Sequence, residues 1–66
     1  MQRLELLIRA ILRAGTYELT SRIDIPKRVV INEYVNVAHA FFVENEPSMV
    51  NGVLDKLAQK LRKHED

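Results

Sequence analysis

Two short proline-containing segments constrain the fold of this chain most, because they interrupt a sequence that is otherwise compatible with helix throughout. Pro26 closes the segment 22–26 and Pro47 closes the segment 43–47. Proline disfavours the helical conformation of the residue before it and fits the first turn of a helix that follows. The chain therefore divides into three helical segments, which we predict at about residues 2–21, 27–42 and 48–63.

The residues before the second and third segments are expected to cap them. Asp24 is the expected cap of the second helix, and Asn45 or Glu46 that of the third. Glu44 and Glu46 flank a helix start, where the helix dipole favours acids, so capping accounts for both.

The first segment carries apolar side chains around most of its circumference. At 100° per residue they sweep about 240° of the helical wheel, against about 100° for an ordinary surface helix. We therefore expect this helix to be central and covered on most sides, which two partner helices cannot achieve. The chain is then either part of a larger helical protein or a homo-oligomer that associates through its first helix.

Short connections between three helices predict the fold class. Connections of about four to six residues favour antiparallel neighbours. We predict an all-α fold, a three-helix antiparallel bundle that forms a single domain over residues 1–66, with a frayed, charged tail at 62–66.

The composition narrows the function classes. The chain has 66 residues, a net charge of +1 and no cysteine. Without cysteine, neither a disulfide nor a thiolate metal site adds stability.

No apolar run approaches the roughly 18 residues of a membrane span, and charges interrupt any signal-peptide core at the N-terminus, which predicts a cytoplasmic protein. The near-neutral charge is not typical of a protein that binds nucleic acid without a partner. A second protein is therefore expected to contribute to any nucleic-acid binding.

No residue pattern indicates catalysis, a cofactor or a metal. Enzyme catalysis needs a nucleophile beside a base, paired carboxylates in a cleft or clustered metal ligands, and the sequence shows none of these. His39 and His64 are interpreted as solvated surface residues. A DNA-reading helix-turn-helix is disfavoured, because the third helix begins with Ser48-Met-Val-Asn51 rather than with a basic, polar surface.

Three residues break the amphipathic patterns. Glu18 falls in the apolar arc of the first helix, so we expect it to accept hydrogen bonds from backbone N–H groups at the start of the second helix or to pair with an arginine. Gly52 lies inside the third helix, at a cost of about 1 kcal/mol relative to alanine, and is expected to permit close approach of another helix or a ligand. Asn51 is expected to form an inter-helix hydrogen bond.

Three strings resemble a known family. ILRAGTYEL spans residues 11–19, DIPKRVVINEYVNVAHAF spans 24–41 and VNGVLDKL spans 50–57. In order and spacing they are similar to successive C-terminal motifs of the NusB transcription antitermination factors. A NusB-type domain also precedes the catalytic domain of some ribosomal RNA methyltransferases, where an arginine pair tends to replace Asp55 and Lys56. The resemblance covers the C-terminal half of the NusB fold.

The resemblance implies a function in RNA binding and transcription antitermination. Family members have two three-helix halves and act on the boxA element of nascent RNA. They do so with NusE, a ribosomal protein of the small subunit, and assist the RNA polymerase elongation complex. The present chain would correspond to the C-terminal subdomain of that fold.

The resemblance also indicates site residues and departures from the family pattern. The family's RNA-facing loop matches residues 44–49, where a basic residue and an aromatic are common but this chain has Pro47, Ser48 and Met49. An acid that faces the ribosomal protein is replaced by Ile8. The predicted RNA-binding residues are Lys27, Arg28, Asn45, Ser48 and Met49. Arg9 and Arg13 are the predicted partner-binding residues. The rival hypothesis is a self-associating structural or interaction fragment without RNA binding.

Overall fold

Three helices account for most of the chain. The computed structural model describes residues 2–63, and the helices are α1 (Arg3–Ser21), α2 (Lys27–Phe41) and α3 (Glu46–Leu61). Each helix packs against the other two, which confirms the predicted all-α three-helix bundle. None of the helices in this described part is long and apolar enough to cross a membrane.

The connection before α2 differs from the predicted capping, whereas Asn45 occupies the predicted N-cap position of α3. Pro26 is the N-cap of α2, and its carbonyl oxygen accepts the N–H groups of Val29 and Val30 at 3.0 and 3.2 Å. Asp24 does not cap α2: its Oδ1 lies 3.3 Å from Nε of Arg22 in an exposed ion pair. α3 begins at Glu46, two residues before the predicted start, and Pro47 lies in its first turn as expected.

The core consists of apolar side chains at three- and four-residue spacings on all three helices. Leu19, Val30, Val50 and Leu54 are its largest fully buried side chains. Within residues 2–63, the core cluster consists of Ile11, Leu19, Val30, Ile31, Ala38, Phe42, Val50, Leu54 and Ala58. The periodicity that predicted the helices therefore also identifies the surface that each one buries.

α1 is not the central helix that its apolar circumference predicted. It buries Ile11, Gly15 and Leu19, whereas Leu4, Leu6 and Tyr17 are 54%, 53% and 71% exposed. Each helix packs against the other two, so α2 and α3 cover only one side of α1. The expectation that two helices would leave part of its apolar surface uncovered is correct, and that surface faces outward.

Arg62 closes one end of the bundle, although the sequence predicted it to lie in a frayed tail. Its side chain is only 6% exposed. Its Nε donates to the carbonyl oxygen of Leu19 at 2.9 Å and its Nη2 to that of Arg22 at 2.7 Å, while Nη1 donates to the carbonyl of Ile25. A cation at the C-terminal end of α1 satisfies carbonyls that have no partner within the helix. The guanidinium thus connects the end of α3 to the α1–α2 turn. His64, also predicted in the tail, lies outside the described residues.

The two glycines have opposite environments. A Cβ atom built on Gly15 would lie 3.0 Å from Cδ1 of Leu54 and 3.5 Å from Cδ2 of Tyr34, so this glycine allows α1 to approach α2 and α3 closely. A Cβ atom on Gly52 would meet nothing within 4 Å. The close helix contact predicted at Gly52 is therefore wrong for the described chain, and it occurs at Gly15 instead.

Replacing Arg62 should test the closure of the bundle. We expect Arg62→Met to lower the free energy of unfolding by about 3 kcal/mol, because three carbonyl groups lose a charged donor. Lys56→Met removes the same charge from an exposed position of α3 and should change it by less than about 0.5 kcal/mol. Urea denaturation followed by circular dichroism measures both, and equal effects would contradict the role assigned to Arg62.

The glycines give a second stability prediction. Gly52→Ala should raise the free energy of unfolding by about 1 kcal/mol, because alanine favours helix and the position is open. Gly15→Ala should lower it, because the added methyl group overpacks against the fully buried Leu54. The same denaturation experiment compares them, and a stabilised Gly15→Ala variant would show that the core is loose at this point.

Candidate nucleic-acid and partner surfaces

Lys27 and Arg28 form one group of the predicted RNA-binding residues. They occupy the first turn of α2, with Lys27 half-buried and Arg28 exposed. Both line one end of a groove of about 860 Å³ between α2 and α3. The Arg62 contacts fix the turn that precedes these residues, so the position of this basic pair depends on the closed end of the bundle.

Asn45, Ser48 and Met49 form the second group, at the start of α3. Asn45 is the N-cap, but its side chain makes no capping hydrogen bond. Its carbonyl oxygen instead accepts the N–H of Met49 at 3.0 Å. Ser48 is exposed and Met49 is 44% exposed, so these side chains are accessible to a ligand.

The structure does not gather the five predicted RNA-binding residues into one site. The first group lies at the beginning of α2, and the second follows its end across the α2–α3 connection. α2 has 15 residues, which corresponds to about 22 Å of helix. A single ligand that contacted both groups would have to lie along the bundle rather than in a pocket.

The predicted partner-binding arginines lie on a different helix. Arg9 and Arg13 are exposed and one turn apart on α1. Arg13 lines a second groove, of about 560 Å³, between α1 and α2. Tyr17 and Tyr34 also line that groove, so a guanidinium and two aromatic rings are available to a partner on this side.

Glu18 is bound by a residue that the sequence patterns did not indicate. The Tyr34 hydroxyl donates to its Oε1 at 2.7 Å, whereas we predicted backbone N–H groups or an arginine as donors. The prediction was wrong because the two side chains are 16 residues apart and meet only when α1 and α2 pack together. This hydrogen bond, burial and the charges of Glu18 and Glu33 raise the pKa of Tyr34 to about 12.

Asn51 also differs from the prediction. It is exposed, and within residues 2–63 its side chain makes no inter-helix hydrogen bond. Its carboxamide lines the α2–α3 groove opposite α2. It is therefore available to a ligand instead of joining two helices.

Metal-binding side chains do not cluster in this structure. Over the described residues, no group of three histidine, aspartate or glutamate side chains is placed to hold an ion. The chemistry available at both grooves is hydrogen bonding, charge pairing and apolar contact.

Comparison with known proteins identifies relatives along almost the whole chain. The family model described as NusB family matches residues 1–59. Over 65 residues, the chain is 54% identical to the transcription antitermination protein NusB of Rhodopseudomonas palustris strain BisB5, in an alignment that covers 98% of this chain. It is 53% identical over 62 residues to the proteins of the same name from Allorhizobium ampelinum and Nitrobacter hamburgensis, in each case over 94% of this chain.

These matches cover only part of each relative. The aligned segment spans 37% of the R. palustris protein and 39% of the other two. No solved structure matches the chain. The shared name, transcription antitermination protein, is not that of an enzyme, in agreement with the prediction that this chain is not one.

The raised pKa of Tyr34 gives a direct test of the α1–α2 contact. The difference in phenolate absorbance between the chain and Tyr34→Phe should titrate with a midpoint of about 12, and Glu18→Gln should return the midpoint toward the ordinary value near 10. Because folding raises the pKa of Tyr34, the Tyr34–Glu18 hydrogen bond contributes fully to the free energy of unfolding below about pH 10. This contribution is lost as the pH rises toward about 12. A midpoint near 10 in the unmodified chain would contradict the Tyr34–Glu18 hydrogen bond.

Proposed function

Because this chain belongs to the NusB family, we propose that it acts in transcription antitermination as an RNA-binding module that works with a protein partner. The match of the family model to residues 1–59 carries this proposal. The relatives' name indicates the process, transcription antitermination. Basic residues at the surface of the chain are the proposed contacts with RNA. The module would act in the cytoplasm.

The RNA surface of this proposal consists of the two groups that flank α2. Lys27 and Arg28 contact phosphates, while Asn45 and Ser48 hydrogen-bond to the RNA. Met49 packs against a base, with weaker stacking than an aromatic residue would provide. The ligand is boxA-type RNA, and the distance along α2 suits an extended single strand better than a compact loop.

The protein partner in this proposal is NusE, the ribosomal protein of the small subunit. Together the two proteins would assist the RNA polymerase elongation complex. Arg9 and Arg13 on α1 are the proposed contacts. A net charge of +1 supports the need for a partner, because two or three phosphate contacts give weak binding at physiological salt.

Self-association is a second candidate function, and the exposed side of α1 favours it. Leu6 and Tyr17 are more than half exposed, and Ala10 and Ala14 between them are also exposed. An outward apolar stripe of this kind is more often an interface than a free surface. A second copy of the chain could cover it through the same stripe.

The RNA proposal predicts an effect of charge position rather than of total charge. The double variant Lys27→Gln/Arg28→Gln should weaken binding of a boxA RNA by about tenfold. It should also reduce the salt slope of log K by about 1.4, or about 0.7 for each phosphate that is no longer neutralised. Lys56→Gln/Lys60→Gln removes the same charge from exposed positions of α3 and should have a much smaller effect. Filter binding at several salt concentrations measures both, and equal losses of affinity would remove Lys27 and Arg28 from the site.

Self-association predicts a defined oligomer. Size-exclusion chromatography with light scattering should give a dimer at tens of micromolar, and Leu6→Glu should give a monomer with unchanged helical content. Val43→Glu places the same charge on an apolar residue that is 97% exposed outside α1 and should remain dimeric. A monomeric unmodified chain would exclude this candidate, whereas a ternary complex with NusE and boxA RNA would support the first.

A further inference from the structure

Three asparagine side chains line the groove between α2 and α3. Asn32 and Asn36 lie one turn apart on α2, and Asn51 faces them from α3. All three are exposed, and none of their carboxamides makes a hydrogen bond within residues 2–63. We call this set of residues the amide groove. Its floor is apolar, because the buried Ile31 and the half-buried Val35 lie between the helices.

The spacing of the carboxamides matches an extended polypeptide. Residues four apart on a helix are separated by a rise of about 6.0 Å, and residues two apart on an extended strand by about 6.6 Å. Every second residue of an extended chain presents its N–H and C=O groups to the same side. An asparagine side chain has both an acceptor and donors, so Asn32 and Asn36 could each bind the main chain at successive repeats.

The charge of the groove favours a polypeptide over a nucleic acid. Glu33 lies between Asn32 and Asn36 in the sequence of α2, Asp55 follows Asn51 by one turn on α3, and Lys27 and Arg28 begin α2. All four charged residues line the groove, so the formal charges cancel. A phosphate backbone that followed the groove would pass two carboxylates. A peptide with a lysine or arginine at that point would pair with them instead, while its apolar side chains contacted Ile31 and Val35.

From this geometry we infer that the amide groove binds an extended polypeptide segment of a partner protein, through Asn32, Asn36 and Asn51, with a basic side chain between Glu33 and Asp55. This goes beyond the proposed function, because it requires neither RNA nor Arg9 and Arg13. Lys27 and Arg28 lie at one end of the groove, so an RNA strand that also reached the start of α3 would have to run along the bundle outside the groove. RNA and a protein segment could then occupy adjacent surfaces of one module.

Binding of a synthetic peptide tests this inference. The probe is a labelled nine-residue peptide that alternates valine and threonine, which favours an extended chain, with one central lysine. A second peptide carries glutamate at the centre. Fluorescence anisotropy with the full 66-residue chain gives the affinities, and the side-chain amide signals of ¹⁵N-labelled chain locate the contact. The variants are Asn36→Ala, Asn51→Ala and, as a matched carboxamide outside the groove, Gln2→Ala; circular dichroism verifies that each remains helical.

The inference predicts saturable binding of the lysine peptide and weaker binding of the glutamate peptide. Asn36→Ala and Asn51→Ala should each weaken the lysine peptide by about fivefold, the effect of one lost hydrogen bond, and Gln2→Ala should not. Absence of binding up to about 1 mM peptide, or equal binding by all variants, would overturn the inference. Shifts of the Asn32, Asn36 and Asn51 amide signals with boxA RNA but not with peptide would overturn it too and would assign the groove to RNA. A chain that binds the peptide but not RNA would support the inference and contradict only the proposed function.

Discussion

The orientation of α2, and of the surfaces that α2 carries, depends on the buried guanidinium of Arg62. Arg62 holds the carbonyl groups of Leu19, Arg22 and Ile25 from the far end of the chain. Those carbonyls belong to the turn that orients α2, and α2 carries Lys27, Arg28 and one wall of the amide groove. A domain of this size has a small core and roughly 3–5 kcal/mol of stability, so a few hydrogen bonds to a buried guanidinium are a substantial part of what keeps the helices together.

The sequence predicts what is periodic and local, and it fails where residues meet only in the folded chain. The proline breaks and the three- and four-residue spacing are sufficient for the number of helices and for their apolar faces. They cannot predict Arg62, since a charged residue after the last apolar position has the pattern of a tail. Tyr34 and Glu18 are likewise joined across two helices. Gly15 and Gly52 are both isolated glycines inside helical segments, and only the packing of the helices shows which of the two permits close contact with a neighbouring helix. The five residues predicted to bind RNA stay a prediction, and the sequence alone could not show that they lie in two groups, because the fold sets their separation.

The exposed apolar side of α1 is consistent with a chain that aligns with only part of each NusB relative. The chain spans 37–39% of the length of the relatives described here, and its first helix presents more apolar surface than two neighbours can bury. The proposed surfaces lie on two sides of the bundle: the apolar stripe on α1 continues into the groove between α1 and α2 through Ala10, Ala14 and Tyr17, and the amide groove lies between α2 and α3.

The central structural claim, that Arg62 closes the bundle from within, is tested most directly by nuclear magnetic resonance of the arginine side chains. In ¹⁵N-labelled chain, the Nε–H of Arg62 should exchange slowly with water and show proton contacts to residues of the α1–α2 turn, unlike the exposed arginines. If the Nε–H of Arg62 exchanged as rapidly as those of the exposed Arg13 and Arg28, the guanidinium would be in solvent and the closed end of the bundle would not exist as described.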